Sequence, residues 1–198
     1  MVIYTYEQFV LLRDNAYDYT DYTIFSILYF TGMRKGELFA LQKKDIDLEN
    51  KVININKSCQ RIAKEYVYTS PKTHNSIRKV DIPNFLVNII QKYYDTLYEM
   101  TDDDHIFVHH LVKLRGRLKI AQKNSGLTED FTIHCFRHSH VSLLIELGYS
   151  PLLVADRIGD NVETVLKVYS HLYPTKKNEL VKKLDEINND VKLMSNTF

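Results

Sequence analysis

His134 and Arg137 stand three positions apart in TIHCFRHSHVSLLIELG, and a tyrosine, Tyr169, closes a second helical pattern about thirty residues later. Those three residue types together suggest phosphate chemistry. An i, i+3 spacing puts His134 and Arg137 on one face of a helix. A helix start exposes unpaired N–H groups and a positive dipole end that favour an anion, so the pair reads as half of an anion clamp. Arg34 opens another helix in TGMRKGELFAL, and Glu37, one turn on, can hold its guanidinium by a charge-assisted hydrogen bond. On spacing alone, a surface ion pair without a chemical part stands beside that reading. Lys72, in SPKTHNS, is by itself a loop lysine.

The elements that must position these groups are mostly helical. Residues 4–15 and 21–30 read as two helices, joined by the polar DNAYDYTDY, and a third begins at Arg34. Between Lys51 and Pro83 the period becomes twofold and predicts three strands: Val52 to Ile55, Glu65 to Thr69, and Ile77 to Ile82. The segment Ser70 to Ser76 has the composition of a hairpin connection and would present Lys72 at the edge of a small antiparallel sheet. A helix over 84–99 leads into MTDDDH, an acidic loop read as a mobile insertion. The helix that follows carries Lys113, Arg115, Arg117 and Lys119; a DNA-tracking face and a solvated face are both compatible with it. Thr132 caps the next helix, whose apolar stripe is Phe136, His140, Leu143, Leu144 and Leu147, with Gly148 as its stop. Pro151 opens LLVADRIG, and Asp160-Asn161-Val162-Glu163 resembles a capping box for the helix ending in Tyr169. Residues 176–194 read as a charged amphipathic helix with Leu180, Leu184, Ile187 and Val191 on one side. The expected fold class is α+β, mainly helical with a small antiparallel sheet.

At 198 residues the chain can bury one core. A net charge of +1 means that any DNA role must rest on local basic clusters. Cys59 and Cys135 lack metal-ligand spacing and cannot make a disulfide framework; both read as buried apolar residues in a reducing cytosol. The longest apolar run, Thr23 to Met33, is too short to span a bilayer, so no membrane partner is expected.

TGMRKGELFAL, SPKTHNSIRKVDIP, HCFRHSHVSLLIELG and VYSHLYP fall in the order and at the spacings of the tyrosine recombinases, the phage and conjugative-transposon integrases. The resemblance runs from about Thr5 to Pro174 and is carried by the set rather than by any one motif. It implies that Tyr169 attacks a phosphorus of duplex DNA, leaving a 3′-phosphotyrosyl link and a free 5′-hydroxyl, with neither ATP nor a metal cofactor. By the same resemblance Arg34 and Arg137 clamp the non-bridging oxygens, and Lys72 is the general acid. His134 helps move the nucleophile's proton or bonds the phosphate, and Glu37 orients Arg34. Lys43, Lys44, Arg61 and Arg117 are candidate contacts to the DNA backbone. A bacterial, cytoplasmic protein is implied, assembling as a tetramer on DNA, with accessory DNA-bending factors as further partners.

Where the family usually carries a second His or a Trp, nine residues before the nucleophile, this chain has Asp160. A carboxylate beside a phosphate repels it unless protonated. Three readings stand: Asp160 caps the helix, it is protonated or acts through water, or the loop is shorter and the position is empty. Tyr149 and Tyr173 flank the same region, and Tyr169 is preferred for its place before Ser170-His171. His138, His140 and His171 are read as structural. Residues 1–174 would form the catalytic domain and 175–198 a tail that docks on a neighbouring protomer or folds back. The N-terminal core-binding domain of the family is expected to be absent. Two other functions remain open, a type IB topoisomerase-like nicking and closing enzyme and a catalytically weak DNA-binding paralogue.

Overall fold

The computed structural model describes residues 2–70, 76–128, 130–170 and 181–187. Its elements, in chain order, are α1 (Tyr6–Asp14), α2 (Tyr19–Thr31), α3 (Lys35–Ala40), β1 (Ile46–Asp47), β2 (Val52–Ile55), β3 (Ser58–Ile62), β4 (Glu65–Thr69) and β5 (Arg78–Asp81). Then follow α4 (Asn84–Tyr94), α5 (Leu114–Ser125), α6 (Ile133–Glu146), α7 (Pro151–Ile158) and α8 (Val162–Tyr169). The fold is mainly helical with small antiparallel sheets, as the periodicities predict. Among the described residues no helix is long and apolar enough to cross a membrane.

Helix α2 is buried almost all round, with Ile24, Phe25, Ile27, Leu28 and Tyr29 in the core. Its Thr23, Ser26 and Thr31 hydroxyls donate back to the carbonyls four residues earlier, at 2.6 to 2.8 Å, so they are buried without unpaired donors. Helix α6 packs against it and is buried on most sides as well, at Cys135, Phe136, Ser139, His140, Val141 and Ile145. The predicted stripe is therefore too narrow, and Leu147 lies exposed beyond the helix end. A second apolar cluster, Val141, Ile145, Val154, Ala155, Ile158, Val165 and Tyr169, joins α6 to α7 and α8.

The strands do not form the single predicted sheet. β1, β2 and β5 make one antiparallel sheet, with Ile53 opposite Val80, and β3 pairs β4 in a separate hairpin. The hairpin connection expected at Ser70 to Ser76 is thus displaced: β4 turns back on β3, and β5 pairs with β2. β3 was not legible because only Cys59 of SCQRI is buried, which leaves no alternation to detect. Its turn is equally silent, because Ala63 and Lys64 hold the two positive φ values that Asn-Gly would normally announce. Lys72 lies outside the described residues. α3 seats on this hairpin at Gly36, where an added Cβ would come within 2.5 Å of the Ser58 hydroxyl.

The acidic loop after α4, which ends at Tyr94 rather than at residue 99, is packed rather than inserted loosely. Backbone N–H groups of Lys43 and Lys44 donate to the carbonyls of Asp104 and Asp102 at 3.1 and 3.0 Å. The Lys44 ammonium is paired with Asp103, and Lys43 lies 4.0 Å from Asp102. Both ion pairs are solvent-exposed, so each lysine lies beside a carboxylate of the acidic loop. Arg117 is also committed: its guanidinium stacks 3.6 Å over Tyr17 and lies 3.7 Å from Asp18 and 3.8 Å from Asp21. Arg61 remains exposed on the β3–β4 hairpin. Both cysteines are buried and unpaired, as expected. Residues 181–187 are helical, with Val181, Leu184 and Ile187 exposed.

Asp21 is fully buried and neither carboxylate oxygen has a hydrogen-bond partner among the described residues. Burial, then Asp18, pushes its pKa up to about 6 against the pull of Arg117. A raised carboxyl stabilises the fold below its unfolded pKa, and that stability is lost as pH rises through about 6. Asp21→Asn is therefore expected to gain roughly 1–3 kcal/mol over the parent at pH 8 and nothing at pH 3.5, measured by urea unfolding. An equal effect at both pH values would show that charge is not the cause.

Candidate active site

The C-terminus of α2 sets the position of the first arginine. Gly32 ends that helix at φ +65°, and a Cβ there would lie 2.6 Å from the His140 ring of α6. Only glycine tolerates both the left-handed backbone and that approach. Two residues on, Arg34 is the N-cap of α3. Its Nη1 donates to Glu37 at 3.0 Å and to the Gly159 carbonyl at 3.3 Å, and its Nη2 donates to Asp160 at 3.0 Å.

Glu37 is the buried anchor of this arrangement. Its two oxygens accept from Arg34 Nη1, from the Arg34 backbone N–H at 2.8 Å, and from both Nη atoms of Arg78 at 2.9 and 3.3 Å. Burial pushes its carboxyl up, but the Arg78 and Arg34 bonds and charges outweigh this and hold it below the ordinary range. Arg78 also donates to the carbonyls of Arg157 and Ser76. Sequence reasoning missed Arg78, which it treated as a strand position. No local spacing links a residue of β5 to one of α3, so the only signal was a charged side chain in an alternating run.

Arg137 is just 5 % exposed, a burial that its spacing from His134 does not predict. Its Nη1 donates to the carbonyls of Gly32 and Ile158 at 2.9 and 2.8 Å, which ties the ends of α2 and α7 together. Its Nη2 donates to Asp160 at 2.7 Å. Burial and then Arg34 lower its pKa to about 10, so it stays charged at neutral pH.

Asp160 departs from two of its predicted readings. Asn161 is the N-cap of α8, accepting from the Glu163 N–H at 2.8 Å, so Asp160 does not cap the helix. Nor is it protonated: burial raises its pKa, and the Arg137 bond, the Asn161 N–H and both guanidinium charges more than reverse that. The Oδ2 atom of Asp160 bonds Arg34 and Arg137 together, and the two arginines therefore converge on one oxygen.

A pocket of about 190 Å3 is lined by Arg34, His134, Arg137, His138, Asp160 and Tyr169, among others. Tyr169, 4 % exposed, ends α8 within the second apolar cluster, and burial pushes its pKa up to about 12. Its hydroxyl is hydrogen-bonded to Nδ1 of His138. His138 was read as structural and instead touches the phenol; its i+4 relation to His134 was the available signal. His134 lies at the pocket's outer edge, its pKa lowered by burial, Arg137 and Arg34. His140 is in the core as expected, accepting from Arg157 at 3.1 Å, and Tyr149 does not line the pocket. His171 and Tyr173 lie outside the described residues. Beside the pocket, a groove of about 480 Å3 is bordered by Arg34, Lys35, Arg115, Lys119, His134 and Arg137. Among the described residues no cluster of His, Cys, Asp or Glu could hold a metal.

Chemically, the pocket offers two guanidinium forks aimed at one point, a phenol a short distance away and imidazoles next to both. That is an arrangement for a monoanionic ester and an oxygen nucleophile. Comparison with known proteins gives the family. The chain is 36% identical over 179 residues to the ICEBs1 integrase of Bacillus subtilis (strain 168), covering 83% of this chain and 48% of that protein. It is 32% identical over 174 residues to the integrase of Staphylococcus phage L54a, covering 79% and 49%. The chain thus spans about half the length of the curated relatives it matches. Its fold superposes on the Tn1549 transposon integrase solved in complex with transposon right end DNA, with a TM-score of 0.76 and 24% identity, over 93% of this chain and 66% of that one. The sequence profile of the phage integrase family matches residues 5–176, and the chain accordingly belongs to that family, the tyrosine recombinases.

Proposed function

We propose that this chain supplies the catalytic part of a site-specific DNA recombinase that integrates or excises a mobile element through a 3′-phosphotyrosyl intermediate. The observation that carries the reading is the convergence of Arg34 and Arg137 on one oxygen in a pocket that also holds the Tyr169 hydroxyl. Tyr169 Oη bonds to phosphorus as the P–O5′ bond breaks. The departing 5′-oxygen takes a proton from Lys72. Charge that grows on the non-bridging oxygens meets the two guanidinium forks, each worth ~3 kcal/mol in the transition state, on the order of a hundredfold in rate. Glu37 orients Arg34, and His134 at the pocket's edge bonds the phosphate. Because a phosphoester is exchanged rather than hydrolysed, the tyrosyl link preserves its energy for rejoining.

Duplex DNA is the substrate, and the groove between Arg34 and α5 gives the backbone a basic path through Arg115 and Lys119. Residues 1–174 form the catalytic domain in this reading. The tail from 175 contributes to self-association as a tetramer on DNA, and Val181, Leu184 and Ile187 offer it an apolar face. The test is a nicked suicide duplex carrying the attachment sequence of the encoding element. A covalent adduct is expected, and peptide mass spectrometry should locate it on Tyr169. No adduct, or an adduct on Tyr149, overturns the assignment. Exchange between two labelled duplexes is expected as well; relaxation of supercoils without exchange would make this a nicking and closing enzyme.

A further inference from the structure

We infer that His138 is the catalytic proton acceptor for the Tyr169 hydroxyl, leaving His134 to the phosphate. This rests on the reading of Tyr169 as the nucleophile.

The contact itself has a direction. His138 Nδ1 meets Tyr169 Oη, with ring centroids 5.9 Å apart and planes inclined by 50°. Among the described residues Tyr169 Oη has no other hydrogen-bond partner. If Nδ1 carried a proton, the phenol hydrogen would have no acceptor among the described residues in a buried site, which costs free energy. The phenol therefore donates, and the imidazole hydrogen sits on Nε2. His134 cannot take the same part from where it stands. It is exposed at the pocket mouth, its ring edge-on to His138 at 4.5 Å, and makes no hydrogen bond to Tyr169.

The electrostatics suit a base. Burial, then His134 and Arg137, holds His138 down to about 4, so the ring is neutral at physiological pH and keeps its lone pair. Tyr169, raised by burial, does not ionise unaided. Among the described residues, the charged and titratable groups that line the pocket with His138 are His134 and Arg137 on α6, Arg34 at the start of α3, Asp160 before α8, and Tyr169 itself. A phosphodiester between the two arginines would offset the Arg137 charge that depresses His138. The imidazole thus gains basicity when the substrate is bound. As Oη bonds to phosphorus, its proton moves to Nδ1, giving an imidazolium with both nitrogens protonated, while the 5′-oxygen is protonated by a separate acid. Rejoining reverses each transfer: the 5′-hydroxyl attacks phosphorus, and the phenolate recovers its proton from His138.

Two measurements test this. In the DNA-free full chain with 15N-labelled histidines, NMR is expected to find His138 as the Nε2–H tautomer, with an Nδ1 resonance that moves on Tyr169→Phe. An Nδ1–H tautomer, or no response to that substitution, overturns the proposal. On the nicked suicide duplex described above, His138→Ala and His138→Asn should cleave about a hundredfold more slowly than the parent, and religation should fall by a similar factor. Asn keeps an acceptor near the Nδ1 position but has no basicity, so parent-like cleavage by this variant overturns the proposal. The residual rate should rise about tenfold per pH unit, and added imidazole should partly restore His138→Ala. Recovery instead on a duplex with a 5′-thio leaving group would make His138 part of the acid system and also overturn it. An adduct mapped on Tyr169 with unchanged rates in both variants sinks the role of His138 alone, whereas an adduct on another residue sinks the nucleophile reading.

Discussion

Replacing Glu37 with alanine is expected to lower folding stability by ~3–5 kcal/mol, the cost of breaking a buried ion pair by removing one partner. Glu37 is 4 % exposed and Arg78 almost equally buried, so the substitution takes the paired carboxylate from a buried guanidinium and leaves it the Arg157 and Ser76 carbonyls. It also removes the acceptor for the Arg34 backbone N–H at the start of α3. Urea unfolding should report this as a fall in the midpoint with an unchanged slope. The sign with pH follows from the depressed carboxyl. Its stabilisation is complete above the unfolded carboxylate pKa of about 4.3 and is lost as pH falls through the lower folded value. The parent should therefore converge on Glu37→Ala in strong acid. A difference under about 1 kcal/mol at pH 7 would mean that Arg78 finds compensation elsewhere.

Arg137→Lys should lose a hundredfold or more in the rate of adduct formation, about 3 kcal/mol, although the charge is kept. One guanidinium reaches the Gly32 and Ile158 carbonyls through Nη1 and Asp160 through Nη2. An ammonium is a point charge on a flexible stem and cannot bridge three acceptors while offering a fork to a phosphate. The two carbonyls lie at the ends of α2 and α7, so leaving them unpaired should also cost roughly 1–3 kcal/mol each in stability. Single-turnover cleavage must then be compared at a temperature where both proteins are folded. Parent-like cleavage would remove Arg137 from the proposed chemistry, and parent-like stability would show that the carbonyls are satisfied without it.

What could be read in the chain was local. Helices α2 and α6 announce themselves as apolar runs between polar connections, though both are buried too widely for a single stripe, and His134, Arg137 and Tyr169 stand out by their spacing within one stretch of about forty residues. What could not be read depends on contacts across the fold. Nothing near Glu37 points to Arg78, and nothing near Asp160 identifies it as the shared acceptor of two arginines from α3 and α6. The burial of Arg137 is of the same kind, because an i, i+3 rule knows nothing of α2 and α7 closing over it. The sheets failed for a different reason: β3 is too exposed to alternate, and its turn uses Ala63 and Lys64 where the usual signal is glycine or asparagine. Lys43 and Lys44 are basic in the sequence, and the carboxylates beside them come from a loop about sixty residues away.

Asp160 gives the clamp a selectivity that a bare pair of arginines would lack. Three guanidinium groups, on Arg34, Arg78 and Arg137, share two carboxylates, Glu37 and Asp160, so a freely diffusing anion meets only one uncompensated charge there. Sulfate, free phosphate or a nucleotide would have to compete with a tethered carboxylate whose effective concentration is far above its own. A phosphodiester held at many points along a duplex competes on equal terms, because the rest of the interface tethers it as well. On the proposed reading, the guanidinium pair is thereby reserved for polymers over metabolites.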